Sequence, residues 1–175
     1  YIIRGMKIVT ARHETVELVI IGEGKLKNEL VQLSLDLGLD SKIKFLGARS
    51  NEECIRELAN SDIAVLPCVV AENGDMDVCP LSLQEAMAME IPVVSTRIGS
   101  IPELIEDGKE GVLVPERDEK ALAEAILGLI ENPALRNEMG RNGRAKTVRE
   151  FNQSIQADKL IGSWRDILDN ERVPS

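Results

Sequence analysis

The sequence predicts an α/β protein, a Rossmann-like parallel sheet flanked by helices. Three observations lead there. Short apolar runs alternate with stretches of helical periodicity along the whole chain. The apolar runs at 16–21, 43–46, 63–66, 93–94 and 111–114 are continuous rather than alternating, as strands covered on both faces require. Glycine, proline or asparagine punctuates most changes of element.

The elements follow in order. Ile2, Ile3, Met6 and Val9 recur at helical spacing, so the chain opens inside an amphipathic helix. Residues 16–21 read as a buried strand ending in the tight turn Gly22-Glu23-Gly24. Leu26, Leu30, Leu33 and Leu37 form a helix stripe closed by Gly38, a residue that takes the left-handed cap conformation freely. Residues 43–46 are the next strand, with Gly47 at its end. Ser50 and Glu53 fit a capping box that opens a helix to about Asn60. Residues 63–66 are a third strand, stopped by Pro67. An acidic loop, a helix from Leu81 and a strand through Val93 and Val94 come next, then a short helix at 102–105 and a last strand at 111–114. Asp118 caps a helix ending near Ile130, and Asn132-Pro133 starts another, since proline suits the first helical position. Gly140 and Gly143 are expected to interrupt or loosen that helix. Residues 154–168 form a final amphipathic helix carrying Trp164, and no internal repeat or low-complexity segment occurs.

A length of 175 residues gives one ordinary domain with room for a sizeable core, and 43% hydrophobic with 29% charged residues is a globular composition. Aromatic residues at 2% and a net charge of −9 argue against nucleic acid and against an anionic membrane surface. No apolar run is long enough to span a bilayer and no signal peptide is visible. Cys54, Cys68 and Cys79, odd in number and without C-x-x-C spacing, suggest a reducing, cytoplasmic compartment and neither a disulfide framework nor a zinc site. The opening Tyr1-Ile2-Ile3-Arg4-Gly5 lacks a methionine, so the chain reads as a fragment. His13, the only histidine, reads as surface or cap of the first helix.

Ligands of such sheets bind at the carboxyl ends of the strands. Three loops fall there: Gly22-Glu23-Gly24, Gly47-Ala48-Arg49 and residues 67–80. In the third, Asp77 and Glu85 stand eight positions apart with a helix start between them. The unpaired amides and partial positive charge of a helix N-terminus seat a phosphate. Flanking carboxylates accept hydrogen bonds from the hydroxyls of sugars and riboses. A phosphate bracketed by polyols is a nucleotide sugar. The neighbours of Glu85 are almost all apolar, so its helix reads as buried on most sides and its carboxylate as needing partners, which two ribose hydroxyls would supply. Asp77 is otherwise a loop acid beside Glu72 and Asp75. Asp75-Met76-Asp77 also has the D-x-D form that suits a divalent cation, but a helix start behind the loop carries phosphate charge without a metal, and no metal is expected. Gly22-Glu23-Gly24 lacks the third glycine of a dinucleotide fingerprint; it is either a tight turn or a place of close backbone approach to a ligand. Gly99, Ser100 and Glu103 form a similar turn, and Lys25 is a surface lysine or a phosphate contact.

At these residues the chain resembles the carboxyl-terminal, donor-binding domain of a retaining, group-one (family four) glycosyltransferase of GT-B fold. The blocks occur in order: Val19-Ile20-Ile21-Gly22-Glu23-Gly24, Phe45-Leu46-Gly47, Ala59-Asn60-Ser61-Asp62 running to Pro67, the Asp77 to Glu85 segment with Glu85-Ala86-Met87-Ala88, Ile91-Pro92-Val93-Val94-Ser95-Thr96, Gly99-Ser100-Ile101-Pro102-Glu103 and Gly111-Val112-Leu113-Val114-Pro115. They cover almost the entire chain.

The resemblance implies a nucleotide-sugar (donor) binding Rossmann-like domain over residues 1–151 that lacks its first strand. It implies a carboxyl-terminal helix and tail over residues 152–175 that would pack on an absent amino-terminal domain. Glu85 would hold the ribose hydroxyls. Asp77 stands where a glutamate commonly contacts the donor sugar; its loop has the subgroup form Gly-Asp-x-Asp-x-x-Pro, which leaves the sugar open. The backbone from Cys79 through Pro80 and Leu81 to Ser82 would face sugar and diphosphate, with Gly22 and Gly24 nearby. Gly47 and Ala48 would line the base pocket. No cofactor and no metal are implied. The reaction implied is transfer of a hexose from a nucleoside diphosphate sugar to a glycan or lipid-linked acceptor, in a capsule, lipopolysaccharide or exopolysaccharide pathway. The family's diphosphate-clasping Arg and Lys precede this stretch, so the chain alone would be a donor-binding half and not a working transferase. Membrane contact would come through the absent domain, and the surface that domain covers would allow a homodimer. Two rivals stay open: half of a nucleotide-sugar epimerase, and a non-catalytic nucleotide-sugar binding module.

Overall fold

A computed structural model describes residues 1–77 and 80–170. Helix α1 (Ile2–Arg12) leads into β1 (Leu18–Ile21), α2 (Lys27–Asp36), β2 (Ile43–Gly47), α3 (Asn51–Ala59) and β3 (Ala64–Leu66). Then follow α4 (Leu81–Ala88), β4 (Val93–Thr96), α5 (Ile101–Leu104), β5 (Gly111–Val114), α6 (Glu119–Glu131), α7 (Pro133–Glu150) and α8 (Gln153–Asn170). The local signals act as expected. Ser50 and Glu53 make both arms of the capping box, and Asp118 accepts from the Lys120 and Ala121 amides at the start of α6. Gly38 has φ +68 behind α2. His13 caps α1 by donating its N–H to the Val9 carbonyl, and its Nε2 lies 3.1 Å from Glu131 Oε1. β1 starts later than expected because the Val16 N–H is turned back to the His13 carbonyl.

All ladders are parallel, but the expected single sheet is divided. β1 pairs with β2 in one sheet, and β3, β4 and β5 pair in that order in another. No ladder joins β1 to β3 among the described residues. Burial follows the division. Central β4 is buried throughout, whereas β1 and β3 are only half-buried despite their apolar sequences. β4 also separates two cores. Val94 packs on one face with Met6 and Val9 of α1 and Leu122 and Ile126 of α6; Val93 packs on the other with Leu83 and Met87 of α4 and Ile101 of α5. Full burial of each such side chain is worth about 1.5–3 kcal/mol, so β4 is the strand least able to move.

Gly140 and Gly143 do not interrupt α7, which runs unbroken over 18 residues. They face α4. A β-carbon on Gly140 would stand 2.0 Å from the Glu90 carbonyl oxygen, and one on Gly143 would stand 3.3 Å from Met87. The glycines are there for close approach between elements, and the helix hydrogen bonding continues past them. At the other end of α7, helix α8 leaves Leu160, Ile161, Trp164, Ile167 and Leu168 exposed along one stripe.

Candidate functional site

The three loops predicted from the strand ends lie at the carboxyl edges of the two sheets. Around the first sheet, the Gly22 N–H donates to the Gly47 carbonyl at 2.9 Å, which ties the turn after β1 to the end of β2. Gly47 has φ +73, and a β-carbon there would lie 2.6 Å from Glu23 Oε1. Only glycine therefore lets the Glu23 side chain cover this turn. Glu23 accepts from Lys27 Nζ at 2.7 Å. That bond, helped by the Ala48 amide, holds the Glu23 carboxyl below its usual range. Gly22 and Gly47 are thus joined at the ends of neighbouring strands; Gly22, Gly24 and Ala48 are exposed, and Gly47 is buried. Lys25 is also exposed.

The second group gathers around β3 and β4. Ser95 Oγ donates to the Leu66 carbonyl at 2.7 Å and Thr96 Oγ1 to the Cys68 carbonyl at 2.6 Å. These buried hydroxyls carry the chain beyond β3 on a fixed path. Past Val70 the loop closes on itself, the Ala71 N–H donating to the Asp75 carbonyl at 2.8 Å and the Gly74 N–H to the Ala71 carbonyl at 2.9 Å. Met76 and Asp77 then lie against Gly99, where a β-carbon would be 3.3 Å from Met76 Sδ and 3.7 Å from the Asp77 carbonyl. Burial, and then the negative charge of Asp77, raises the Cys68 thiol above its ordinary pKa. The Asp77 side chain is on an exposed residue, while Pro80 is buried as the N-cap of α4. Leu81 and Ser82 follow on the exposed side, and the N-cap residue Pro80 offers no side-chain acceptor to the first amides of the helix.

Glu85 sits one turn inside α4. The burial expected for it is corrected: Leu83, Ala86 and Met87 share the buried face, and Glu85 lies at the flank, half-buried. No hydrogen bond or ion pair engages its side chain among the described residues. Partial exposure of the residue weakens the desolvation ground for partners. Cys79, predicted to face the ligand, lies outside the described residues. Among the described residues no hydrogen bond links the Gly47 group to the Gly99 group, and no group of three His, Cys, Asp or Glu side chains is disposed to hold a metal. Glu116 and Arg117 grip Val70 from the β5–α6 turn, and no motif in the sequence marks them. Ser95 and Thr96 were detectable as two polar residues ending an apolar strand.

The family profile described as "Glycosyl transferases group 1" matches residues 1–146. The chain belongs to this family. Within the group 1 glycosyl transferases it is 39% identical over 158 residues to the amylovoran biosynthesis glycosyltransferase AmsK of Erwinia amylovora, covering 90% of this chain and 39% of that protein. In structure it is similar to the carboxyl-terminal domain of the group 1 protein LpcC from Francisella tularensis, with a TM-score of 0.75 and 26% identity over 86% of this chain and 77% of that one. It also shares its fold with Anabaena HepE, solved with UDP-glucose, at a TM-score of 0.81 and 23% identity over 94% of this chain and 44% of that one. The expected carboxyl-terminal group 1 domain and its Rossmann-like α/β fold are therefore met. The chain spans about two fifths of the length of AmsK.

Proposed function

We propose that this chain is the donor-binding half of a retaining glycosyltransferase that moves a hexose from a nucleoside diphosphate sugar to a glycan or lipid-linked acceptor. The observation that carries the reading is the approach of the Asp77 backbone to the Gly99 turn at one sheet edge, with the start of α4 following in the chain and, one turn behind it, a Glu85 carboxylate that no hydrogen bond or ion pair engages among the described residues. Glu85 takes the ribose hydroxyls and Asp77 the donor sugar. The backbone from Cys79 to Ser82 faces the diphosphate, whose departure the helix start stabilises electrostatically together with basic residues of the rest of the enzyme. Gly47 and Ala48 line the base, and the backbone of Gly22 and Gly24 approaches the donor beside them. The donor is held without a metal or other cofactor. Closure of two domains would exclude water from the donor.

Two further features support a two-domain enzyme, which we read as cytoplasmic. In a doubly wound sheet the first strand lies at the centre, between the second and the fourth. The division between β1 and β3 falls at that place, which supports a preceding strand that would complete the sheet. The apolar stripe of α8 docks on the amino-terminal half. Among the described residues no helix is long and apolar enough to cross a membrane. HepE was solved with UDP-glucose and AmsK is named for amylovoran biosynthesis, which favours a nucleotide-sugar donor and a polysaccharide product.

Calorimetric titration with UDP, GDP, ADP and their sugars, with and without magnesium, tests the donor site. One nucleotide should bind indifferently to magnesium, and Glu85→Ala should weaken it at least about tenfold, the loss of one or more charge-assisted hydrogen bonds. Asp77→Ala should weaken the nucleotide sugar more than the free nucleoside diphosphate. Affinity indifferent to Glu85→Ala would overturn the reading, and magnesium-dependent binding would restore Asp75 and Asp77 as metal ligands. A Trp164→Asp variant should bind the nucleotide normally yet fail to associate with the amino-terminal half; normal association would remove α8 from that interface.

A further inference from the structure

Val70 is the residue from which the acidic loop departs, and two side chains of the β5–α6 turn hold both of its backbone polar groups. Its N–H donates to Glu116 Oε2 at 2.9 Å, and its carbonyl accepts from Arg117 Nη2. The Arg117 Nε stands 3.6 Å from the same Glu116 Oε2, so carboxylate and guanidinium grip one residue together. Arg117 does this with φ +61, a conformation unfavourable to any residue with a β-carbon. Glycine would occupy that turn without strain. An arginine there answers to what its side chain reaches, the Val70 carbonyl and the Tyr1 hydroxyl.

From Val70 a short path of fixed contacts leads to Asp77. The loop over residues 71–75 is closed by its own backbone bonds, with the Asp75 N–H also donating to Asn73 Oδ1 at 3.1 Å. A closed loop moves as one body, so whatever orients Val70 orients the exit of that loop, where Met76 and Asp77 rest on Gly99.

We infer that Glu116 and Arg117 are positioning residues of the donor site, whose grip on Val70 sets the place of the Asp77 carboxylate against the donor sugar. This rests on the donor reading above. The base is met by the turns after β1 and β2, and the diphosphate mainly by the start of α4 beyond the buried Pro80, so the clamp governs the sugar and leaves free nucleoside diphosphate binding nearly alone.

Hydrogen exchange of the Val70, Ala71 and Gly74 amides, with titration of UDP-glucose and UDP or of GDP-mannose and GDP, tests it in Arg117→Gly, Glu116→Ala and Glu116→Gln. Arg117→Gly and Glu116→Ala should speed exchange of these amides and weaken the nucleotide sugar, each about tenfold, as loss of a charge-assisted bond predicts. Free nucleotide affinity should change less than about twofold by the same scale. Glu116→Gln, which keeps an acceptor, should restore most of the effect. Arg117→Gly should melt near the wild-type temperature, because relief of the left-handed conformation offsets the lost contact. Unchanged exchange would overturn the clamp. Faster exchange with unchanged nucleotide-sugar affinity would overturn its positioning role. A wild-type chain that binds free nucleotide and no nucleotide sugar would overturn that role too, and one that binds neither would overturn the donor reading on which it rests; in both cases the exchange rates still decide whether the clamp holds the loop.

Discussion

Replacing Gly140 by alanine should destabilise the fold by about 3 kcal/mol or more, against the usual sign of such a change inside a helix. Glycine to alanine ordinarily adds about 0.5–1 kcal/mol by lowering the entropy of the unfolded chain and raising helix propensity. Here the new β-carbon would stand 2.0 Å from the Glu90 carbonyl oxygen and 2.7 Å from its carbon, deep inside van der Waals contact. The obstacle is backbone and cannot rotate away. Glu90 has φ +62, and the next residue, Ile91, donates its N–H back to the Ala86 carbonyl at 3.0 Å. α4 is pinned from the same side, Arg144 donating to the Ala88 carbonyl at 2.8 Å. α7 would have to move off α4, the helix that carries Glu85. Gly128 is the internal control: it is exposed in α6, and a β-carbon there meets nothing within 4 Å. Gly128→Ala should stabilise by the ordinary amount. Urea denaturation of the two variants reads both signs, and a neutral Gly140→Ala would mean that α7 does not rest on α4.

The same glycines mark the boundary of what the sequence could disclose. A glycine inside a helical pattern looks alike whether it breaks the helix or admits a neighbour. The difference lies in Glu90, fifty residues earlier. Strand and helix types were legible because their causes are local: the Ser50 and Glu53 box, the Asp118 cap and the apolar runs each act within a few residues. The loops around Gly22, Gly47 and Asp77 were legible as a set because strand direction alone assigns them to one edge. Division of the sheet was not, since pairing of β1 with β3 depends on what lies between them and both runs are equally apolar. Glu85 is less buried than its apolar neighbours imply, for a geometric reason. Apolar neighbours in sequence do not enclose a residue when the three-and-four spacing of Leu83, Ala86 and Met87 turns them to one side. Glu116 and Arg117 gave no signal because their partner Val70 is distant in the chain and contributes only backbone.

Removing the charge of Lys146 should cost about 3–5 kcal/mol, the usual loss when one partner of a buried ion pair is deleted. Lys146 Nζ stands 3.8 Å from Glu110 Oε2, with side-chain exposures of 11% and 3%. Each group has a second tie: Lys146 donates to the Glu103 carbonyl at 3.1 Å, and Glu110 accepts from the Glu106 N–H at 2.8 Å. The pair therefore fastens α7 to the far end of α5 and to the turn entering β5. Lys146→Met keeps much of the apolar stem and removes the ammonium, so its cost measures the stranded Glu110 carboxylate more than lost packing. Glu110→Gln in that background keeps an acceptor for Glu106 and abolishes the stranded charge. The double variant should accordingly be more stable than Lys146→Met alone, with a coupling of about 1–3 kcal/mol in a double-mutant cycle. Additive losses would show that the two charges do not sense each other across their gap. The consequence for the site follows from what the pair holds: α5 begins directly after the Gly99 turn on which Met76 and Asp77 rest, so loosening it should weaken nucleotide-sugar binding in Lys146→Met and restore it in the double variant.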